Sequence, residues 1–523
     1  MMEKKWLFGA LAVTGLVLAS CGTGSDTDKA ATTKEKKDKD TFTYAINGDP
    51  TSLNPITVSD RWGLTATNMV YSPLVRIEGD GTQKMELAES LEPAADGKSL
   101  TVKLKEDVKW SDGEAFTADD VVFTYEQKVK KENGNSDSLW VGDQPIAVEK
   151  VDDTTVKFNL PSVSAAAINN IATETYIIPE HVFKDEADFA GNELKAEPVG
   201  TGPYKLVNYK RGEYLQFEAN DSYYGGKPSV PKVTLRIIGN ADTTKLALQK
   251  GEVDASFVLP NDIKELEKAE LDTYEYSENR VGYMGLNNSS EALKDVKVRQ
   301  AVLYALDKDE LNKAGYLSDK YYENVYSILP PANPFATDDV EKYATDVEKS
   351  KSLLKEAGLD SVKLNLAFSS EDPVQTIQAT LIQQQLQKAG ITVELAGGDG
   401  AAIFAELKKP GSTKYDLFMG GYIMGNDPDL YSSLFASDGS ANYFQYKSEA
   451  TDKLFNDGAI ELDEGKRKDI YVELQQQIAD DATFYPIVDN RKVLAVNKAV
   501  GNVEEAGLVP IYTFEDLSKL TIK

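Results

Sequence analysis

The chain contains one cysteine, Cys21, and one histidine, His181, among its 523 residues. Zinc sites of the HExxH type and catalytic groups of the Ser-His-Asp or Cys-His type need imidazole as a ligand or base, so those arrangements are excluded. The motifs GxxxxGK[ST], GxGxxG and GxSxG do not occur either. A carboxylate pair of the glycosidase kind stays open among 85 acidic residues, although no motif nominates one. We interpret His181 as structural.

Cys21 has a context that predicts a different chemistry for its thiol. Lys4 and Lys5 precede an apolar stretch over residues 6–19, which indicates a secretory signal and is shorter than the roughly 20 residues of a membrane span. Residues 18–21, LASC, resemble the lipobox of bacterial lipoproteins. The resemblance implies a signal peptide over residues 1–20 and diacylglycerol on Cys21 after cleavage. An ordinary signal peptide that ends near a cysteine is the alternative.

The residues that follow Cys21 are small and polar, and the chain as a whole is acidic. Residues 21–40 contain no apolar side chain larger than Ala after Cys21, so we expect a lipidated, disordered tether. The formal net charge of −28 argues against a nucleic-acid partner, because phosphates require Lys and Arg stripes. We expect a monomer attached through its lipid to the extracytoplasmic face of the cell membrane.

The clearest local pattern is a strand-helix-strand unit in the last third of the chain. Alternating apolar residues predict a strand over 362–368, and Asp372 and Pro373 begin a helix that ends at Gly390. Its apolar face includes Ile377. The next strand covers 391–395, so part of this region is a parallel sheet covered by helices.

A further strand over residues 415–419 leads into the loop 420–428. Ligands of open α/β sheets bind beyond the carboxyl ends of strands, so this loop is the best site candidate from pattern alone. Asp427 is its one acidic residue within the turn. The alternative is that Asp427 only starts the following helix, where a carboxylate is favourable.

From residue 41 to the C-terminus the chain resembles the oligopeptide- and dipeptide-binding lipoproteins of bacterial ABC importers, solute-binding protein family 5. The resemblance depends on short segments that follow one another in the family's order. They are 52–55 (SLNP), 71–75 (YSPLV), 96–104 (DGKSLTVKL), 108–113 (VKWSDG), 116–123 (FTADDVVF), 199–204 (VGTGPY), 220–226 (NDSYYGG), 251–254 (GEVD) and 296–301 (VKVRQA).

The resemblance implies an α/β, two-lobed periplasmic-binding-protein fold of the class II type with an extra α+β domain. Lobe one would combine residues 41–74, 198–286 and 491–523, and the inserted α+β domain would cover 75–197. Lobe two would cover 287–490. The chain would cross between the lobes near Leu286 and Asn490, which would form the hinge.

It also implies that a peptide lies between the lobes as an extended strand. Many relatives pair the peptide ammonium with an Asp whose position here corresponds to Gly425, and Asp427 is our candidate for its replacement. Asp60 and Arg61 are candidates for the peptide ends, with solvated loop charges as the alternative. The implied ligand contacts are Asp60, Arg61, Trp62, Gly421, Tyr422, Ile423, Met424 and Asp427.

We therefore expect a protein that captures oligopeptides, closes around them and delivers them to a permease driven by ATPase subunits, with no reaction and no cofactor. Three alternatives stay open: a receptor for a signalling peptide, a binder of a nickel chelate or another solute of the family, and a surface hydrolase.

Overall fold

The computed structural model describes residues 40–78, 82–134, 136–173, 175–186, 189, 198–269 and 271–523. The predicted signal peptide, the tether and the lipidation site Cys21 lie outside the described residues. Within the described part of the chain, no helix is both long enough and apolar enough to cross a bilayer.

The secondary structure is distributed along the whole described chain. The α-helices are α1 (Arg61–Val70), α2 (Ala118–Lys128), α3 (Ala165–Asn170), α4 (Glu180–Phe183), α5 (Ala241–Lys250), α6 (Ile263–Leu266), α7 (Val296–Tyr304), α8 (Lys308–Tyr316), α9 (Val347–Glu356), α10 (Pro373–Lys388), α11 (Gly400–Leu407), α12 (Ser432–Phe435), α13 (Glu449–Ile460) and α14 (Glu464–Asp480). The β-strands are β1 (Thr41–Ile46), β2 (Val75–Ile77), β3 (Gln83–Met85), β4 (Ala88–Pro93), β5 (Ser99–Leu104), β6 (Trp140–Val141), β7 (Gln144–Pro145), β8 (Ala147–Asp152), β9 (Thr155–Asn159), β10 (Tyr204–Lys210), β11 (Tyr214–Ala219), β12 (Lys232–Ile237), β13 (Ala255–Val258), β14 (Leu271–Leu286), β15 (Tyr322–Asn324), β16 (Val362–Ser369), β17 (Ile391–Gly398), β18 (Leu417–Ile423), β19 (Phe484–Asn497), β20 (Val500–Gly501), β21 (Leu508–Val509), β22 (Thr513–Phe514) and β23 (Thr521–Ile522).

One mixed sheet runs through the molecule in the order β10-β11-β12-β1-β13-β19-β14-β18-β16-β17, with β15 also on β19. The long strands β14 and β19 lie at its centre and pair with each other in antiparallel fashion. An antiparallel sheet of β4, β5, β9 and β8 is separate from it.

Apolar side chains form distinct cores on these sheets. One core gathers β1, β10–β12 and the C-terminal residues, a second lies on the small sheet, and two more cover the β16–β18 end of the large sheet. We name the parts built on these cores as follows. The first lobe contains β1, α1, β10–β12 and the C-terminal residues, the small-sheet region contains β2–β9 with α2–α4, and the second lobe contains β15–β18 with α7–α14. This arrangement confirms the predicted fold class.

The predicted strand-helix-strand unit is present as β16, α10 and β17, whose strands are parallel. Asp372 caps α10 and Pro373 occupies its first turn. The predicted helix face is wrong at Ile377, which is 42% exposed. Gln378 and Gln385 are buried instead, because their amides donate to the carbonyl oxygen of Leu311 (3.4 Å) and to the carboxylate of Glu310 (2.8 Å).

The pairing of β14 with β19 is interrupted where the two lobes meet. Ser277 lies opposite Arg491, and the next pair is Val281 opposite Asp489. Asn279, inside the interruption, has a φ of +52°. The ladder therefore bends locally at residues 278–280, whereas the strands continue on both sides.

Candidate functional site

A cavity of about 1080 Å³ opens between the small-sheet region, the second lobe and the C-terminal part of the first lobe. The small-sheet region contributes residues such as Leu91, Ile168 and Thr173, and the second lobe contributes its loop after β18. This volume is slightly above the range typical of small-molecule pockets, which is roughly 300–1,000 Å³.

The loop after β18 borders the cavity as the strand-end argument predicted. Ile423, Met424 and Asp427 are on the wall. β18 pairs with β14 along its whole length but with β16 only at Leu417 and Phe418. Beyond Phe418, no described strand pairs with the second edge of β18; Met419 and Gly420 are buried there, whereas Gly421 is exposed.

Asp427 is buried in an ion pair with Arg467 of α14. The carboxylate oxygens accept hydrogen bonds from Arg467 Nη2 (2.7 Å) and Nη1 (2.9 Å), and Oδ1 also accepts from the backbone N–H of Asp429 (3.0 Å). Asp427 caps the 3-10 turn Pro428–Tyr431, which leads directly into α12. The alternative prediction, that Asp427 starts the following helix, is therefore confirmed.

The ion pair also meets the small-sheet region and a second acid. Asn169 at the end of α3 donates its amide to Asp427 Oδ2 at 3.3 Å. Burial and the neighbouring charge of Asp427 raise the pKa of Asp429 to about 6, although Arg467 opposes the shift. Both oxygens of Asp427 thus have partners inside the protein, which leaves little capacity for a ligand ammonium.

Gly421 and Tyr422 are in β18 but are not among the lining residues of the cavity. The Tyr422 hydroxyl donates to the carbonyl oxygen of Ile328 (2.6 Å), and its ring packs in a core of the second lobe. A Cβ at Gly421 would lie 2.0 Å from Arg280 Nη2, so glycine lets the guanidinium lie over this strand, and a larger residue would displace only the flexible end of the Arg280 side chain.

Asp60, Arg61 and Trp62 form the start of α1 and are likewise not among the lining residues. Asp60 is the N-cap and accepts from the N–H of Gly63 (2.9 Å) and the hydroxyl of Thr51 (2.5 Å). The half-buried side chain is therefore held by these hydrogen bonds, and its role towards a ligand stays a prediction.

Arg61 and Trp62 are also engaged internally. Arg61 forms an ion pair with the buried Glu278 and donates Nη1 to the carbonyl oxygen of Ile511 at 3.0 Å. Trp62 is buried against Tyr44 and donates its indole N–H to Asn47 Oδ1 at 2.9 Å. The start of α1 thus braces other parts of the first lobe.

Sequence patterns did not indicate the C-terminal part of the cavity wall, which runs through Val509, Pro510, Ile511 and Tyr512. Ile511 and Thr513 have φ values of +66° and +71°, which are strained for β-branched residues. The Arg61 contact to Ile511 and a hydrogen bond of 2.9 Å between the Thr513 and Tyr44 hydroxyls hold this turn. Pro510 marks a turn here, but neither left-handed position is occupied by Gly or Asn.

Potential metal ligands are dispersed. Among the described residues no group of three or more His, Cys, Asp or Glu side chains is placed to hold a metal ion. His181 Nε2 lies 2.8 Å from Asp112 Oδ2, in the small-sheet region.

Known proteins resemble this chain over almost its whole length. The oligopeptide-binding protein AppA of Bacillus subtilis is 29% identical over 505 residues, which cover 91% of this chain and 92% of that protein. The nickel-binding periplasmic protein of Escherichia coli is 25% identical over 520 residues, covering 92% and 94%.

Two solved structures extend the comparison to the fold. The ABC transporter substrate-binding protein CtaP of Listeria monocytogenes has a TM-score of 0.88 and 39% identity, covering 92% of this chain and 99% of that one. The structure of B. subtilis AppA with a nonapeptide has a TM-score of 0.76 and 27% identity, covering 92% and 99%.

The family model described as the middle of the bacterial extracellular solute-binding proteins, family 5, matches residues 82–443. These are binding proteins rather than enzymes, which supports the predicted absence of catalysis. The match spans well over half of the chain, and the fold and cavity described above agree with it. The chain belongs to family 5 of the bacterial extracellular solute-binding proteins.

Proposed function

We propose that this protein captures oligopeptides outside the cytoplasm and delivers them to the permease of an ABC importer. The observation that carries the proposal is a cavity of about 1080 Å³ that the end of β18 and the loop after it border at Ile423 and Met424. A peptide that adds to β18 would exchange main-chain hydrogen bonds common to all sequences, while the cavity receives its side chains. AppA, which bears the name of an oligopeptide-binding protein and has been solved with a nonapeptide, supports this choice of ligand.

The site residues of this proposal are those that border the cavity at the end of β18. Ile423 and Met424 would contact the peptide, and the end of the β18 edge at Gly421 and Tyr422 would pair with its backbone. Asp427 would hold the loop in shape rather than bind the peptide ammonium, because Arg467 occupies both of its oxygens. Asp60, Arg61 and Trp62 would act indirectly, by holding the wall around Ile511.

The proposal includes the division of the chain and its anchoring. Lobe one would comprise 41–74, 198–286 and 491–523, the inserted domain 75–197, and lobe two 287–490. The hinge would lie near Leu286 and Asn490, and the interruption at residues 278–280 of β14 lies opposite Asn490. The signal peptide would be removed at Ser20, and a lipid on Cys21 would hold a monomer at the membrane beside its permease, since two acyl chains give stable anchoring.

Native mass spectrometry of the freshly purified protein tests the ligand class. We expect bound species whose masses match short peptides, and titration calorimetry should then show binding of synthetic peptides of the same sequences. Nickel with free histidine serves as the control ligand, because nickel binding occurs among the relatives. Binding of the nickel complex without any peptide would contradict the proposal.

Transport is separated from signalling by a growth experiment. A strain that lacks this gene should grow poorly when peptides are the amino-acid source and normally on free amino acids. Normal growth on peptides would instead support a receptor for a signalling peptide.

A further inference from the structure

The lining of the cavity can distinguish one peptide side chain from another, whereas the main-chain edge beside it cannot. Most of its residues are apolar, and they come from all three parts of the molecule. They include Ile77, Met85, Leu91, Pro93, Ile168, Phe335, Ile423, Met424, Leu430, Val509 and Ile511. Covering apolar surface of this kind with apolar ligand groups stabilises the complex, whereas covering it with polar groups contributes little.

The charged groups in the inner wall are already paired within the protein. Arg76 donates to Asn68 Oδ1 (2.5 Å) and lies 3.5 Å from a Glu86 carboxylate oxygen, and Glu515 pairs with Lys84 (3.1 Å). Asp427 is neutralised by its guanidinium partner in the second lobe. A charged ligand group that entered here would lose its hydration without finding a free counter-charge.

The remaining charges of the lining are at its outer part and are mainly negative. Glu464 and Lys468 of α14 are exposed, and Glu78 and Glu461 are half-buried. Among the described residues, none of these four forms an ion pair within 4 Å. These residues contribute three carboxylates and one ammonium group, so their net charge disfavours an anionic ligand more than a cationic one.

From these two observations we propose that the peptides taken by this protein carry apolar side chains over the enclosed part and exclude acidic ones there. The inference depends on the proposed function, because it specifies the peptides that the same cavity accepts. Glutamate is excluded twice, by the cost of burying an unpaired carboxylate and by repulsion at the outer end. Lysine is not repelled at the outer end, and its long stem lowers the cost of burial by directing the ammonium towards the outer acids.

A set of host peptides tests the proposal by calorimetry on the intact mature protein. Each peptide is a hexapeptide of alanines in which one interior position is leucine, glutamine, lysine or glutamate. At one or more positions we expect leucine to bind at least about tenfold more tightly than glutamate, with glutamine and lysine between them. Added salt should narrow the difference between lysine and glutamate.

A pair of matched variants assigns the preference to the cavity. Ile423→Thr keeps a β-branched strand residue but places a hydroxyl on the wall, so the advantage of leucine over glutamine should fall about fivefold. Val207→Thr in β10 makes the same kind of change at an exposed position outside the cavity and should leave the advantage unchanged.

The outcomes separate this inference from the proposed function. If no hexapeptide binds, the proposed function fails with it. If all four guests bind equally at every position, peptide binding stands and the inference is overturned. An advantage of leucine that both variants leave unchanged would also overturn it, because the preference would then arise outside this cavity.

Discussion

The loop after β18 and the start of α1 belong to opposite lobes, and each holds a charged side chain in an ion pair. Asp427 of the loop is on the cavity wall and is fixed by Arg467 of the same lobe. Arg61 of α1 is away from the wall and reaches it through the carbonyl oxygen of Ile511, 450 positions later in the chain. The loop after β18 forms part of the cavity wall itself, whereas the start of α1 supports the wall through the turn at Ile511.

The two ion pairs should respond differently to mutation, because they differ in burial. The Asp427–Arg467 pair is fully buried, so the loss of one partner leaves a charge without solvent or counter-ion. Arg61 is partly exposed, and its removal leaves water access and the nearby Lys492 for Glu278. Stability should therefore depend more on the first pair, and the shape of the cavity wall should depend on the second.

The largest effect is expected for Arg467→Ala. Because Asp427 would stay buried without its guanidinium, the free energy of unfolding should fall by about 3–5 kcal/mol in urea denaturation. The double variant Arg467→Met with Asp427→Leu is the control and should lose much less, since it buries no unpaired charge. An equal loss in both would show that packing rather than charge matters at this site.

The next largest effect is expected for Asp489→Asn. This residue lies in β19 beside the interruption of its pairing with β14. Burial raises the pKa of Asp489 to about 6, and Glu323 adds to the shift, against the opposing Ser277 hydrogen bond and the charge of Arg491. The folded state then holds the proton more tightly than the unfolded state, so stability is greatest below about pH 4 and falls as the pH rises to about 6.

The variant should therefore match the parent protein at pH 4 and exceed it by about 3 kcal/mol at pH 7. Thermal unfolding at several pH values measures this difference. A gain that is the same at pH 4 and pH 7 would contradict the role of this carboxyl group.

A smaller effect is expected for Arg61→Ala. The turn at Ile511 would lose its guanidinium contact, and peptide affinity should fall about tenfold, as for the loss of one charge-assisted hydrogen bond. A double-mutant cycle with Thr513→Val, which removes the hydroxyl contact to Tyr44 that also holds this turn, tests whether Arg61 acts through the turn. The two affinity losses should be coupled by more than about 0.5 kcal/mol, and strict additivity would mean that Arg61 acts independently of this turn.

The smallest effect is expected for Asn169→Ala, which removes the amide that joins the small-sheet region to Asp427. A single exposed neutral donor contributes about 0.5–1.5 kcal/mol, so peptide affinity should fall about threefold. X-ray scattering should show a slightly larger radius of gyration without ligand. Asn170→Ala, at the adjacent position on the wall, is the control, and an equal change there would exclude a specific link.

Sequence reasoning found the elements whose causes are local. The helix α10 begins where Asp372 and Pro373 predict it, and the loop after β18 follows from the general position of ligands in α/β sheets. The role of Asp427 was harder, because the same Asp-Pro pair suits a ligand contact and a helix cap. Only Arg467, forty residues later, distinguishes them.

The structural features that the sequence did not predict depend on residues that are distant in the chain. Gln378 rather than Ile377 occupies the buried position, because its amide donates a hydrogen bond to the carbonyl oxygen of Leu311 in α8. A hydrophobic pattern does not indicate such a hydrogen bond. The turn at Ile511 adopts a left-handed conformation that neither Ile nor Thr favours by itself. It exists because α1 and β1 hold it, so a local motif could not have indicated it.

The paired strands β14 and β19 have a consequence for how the molecule can open. Their pairing continues on both sides of residues 278–280, with a second register shift between Gly282 and Tyr283. The proposed rotation of the lobes would then be concentrated at these two irregular positions, where few ladder hydrogen bonds resist it. A small change of backbone angle there would move the far rim of a lobe over a larger distance, while the pairing on both sides is kept.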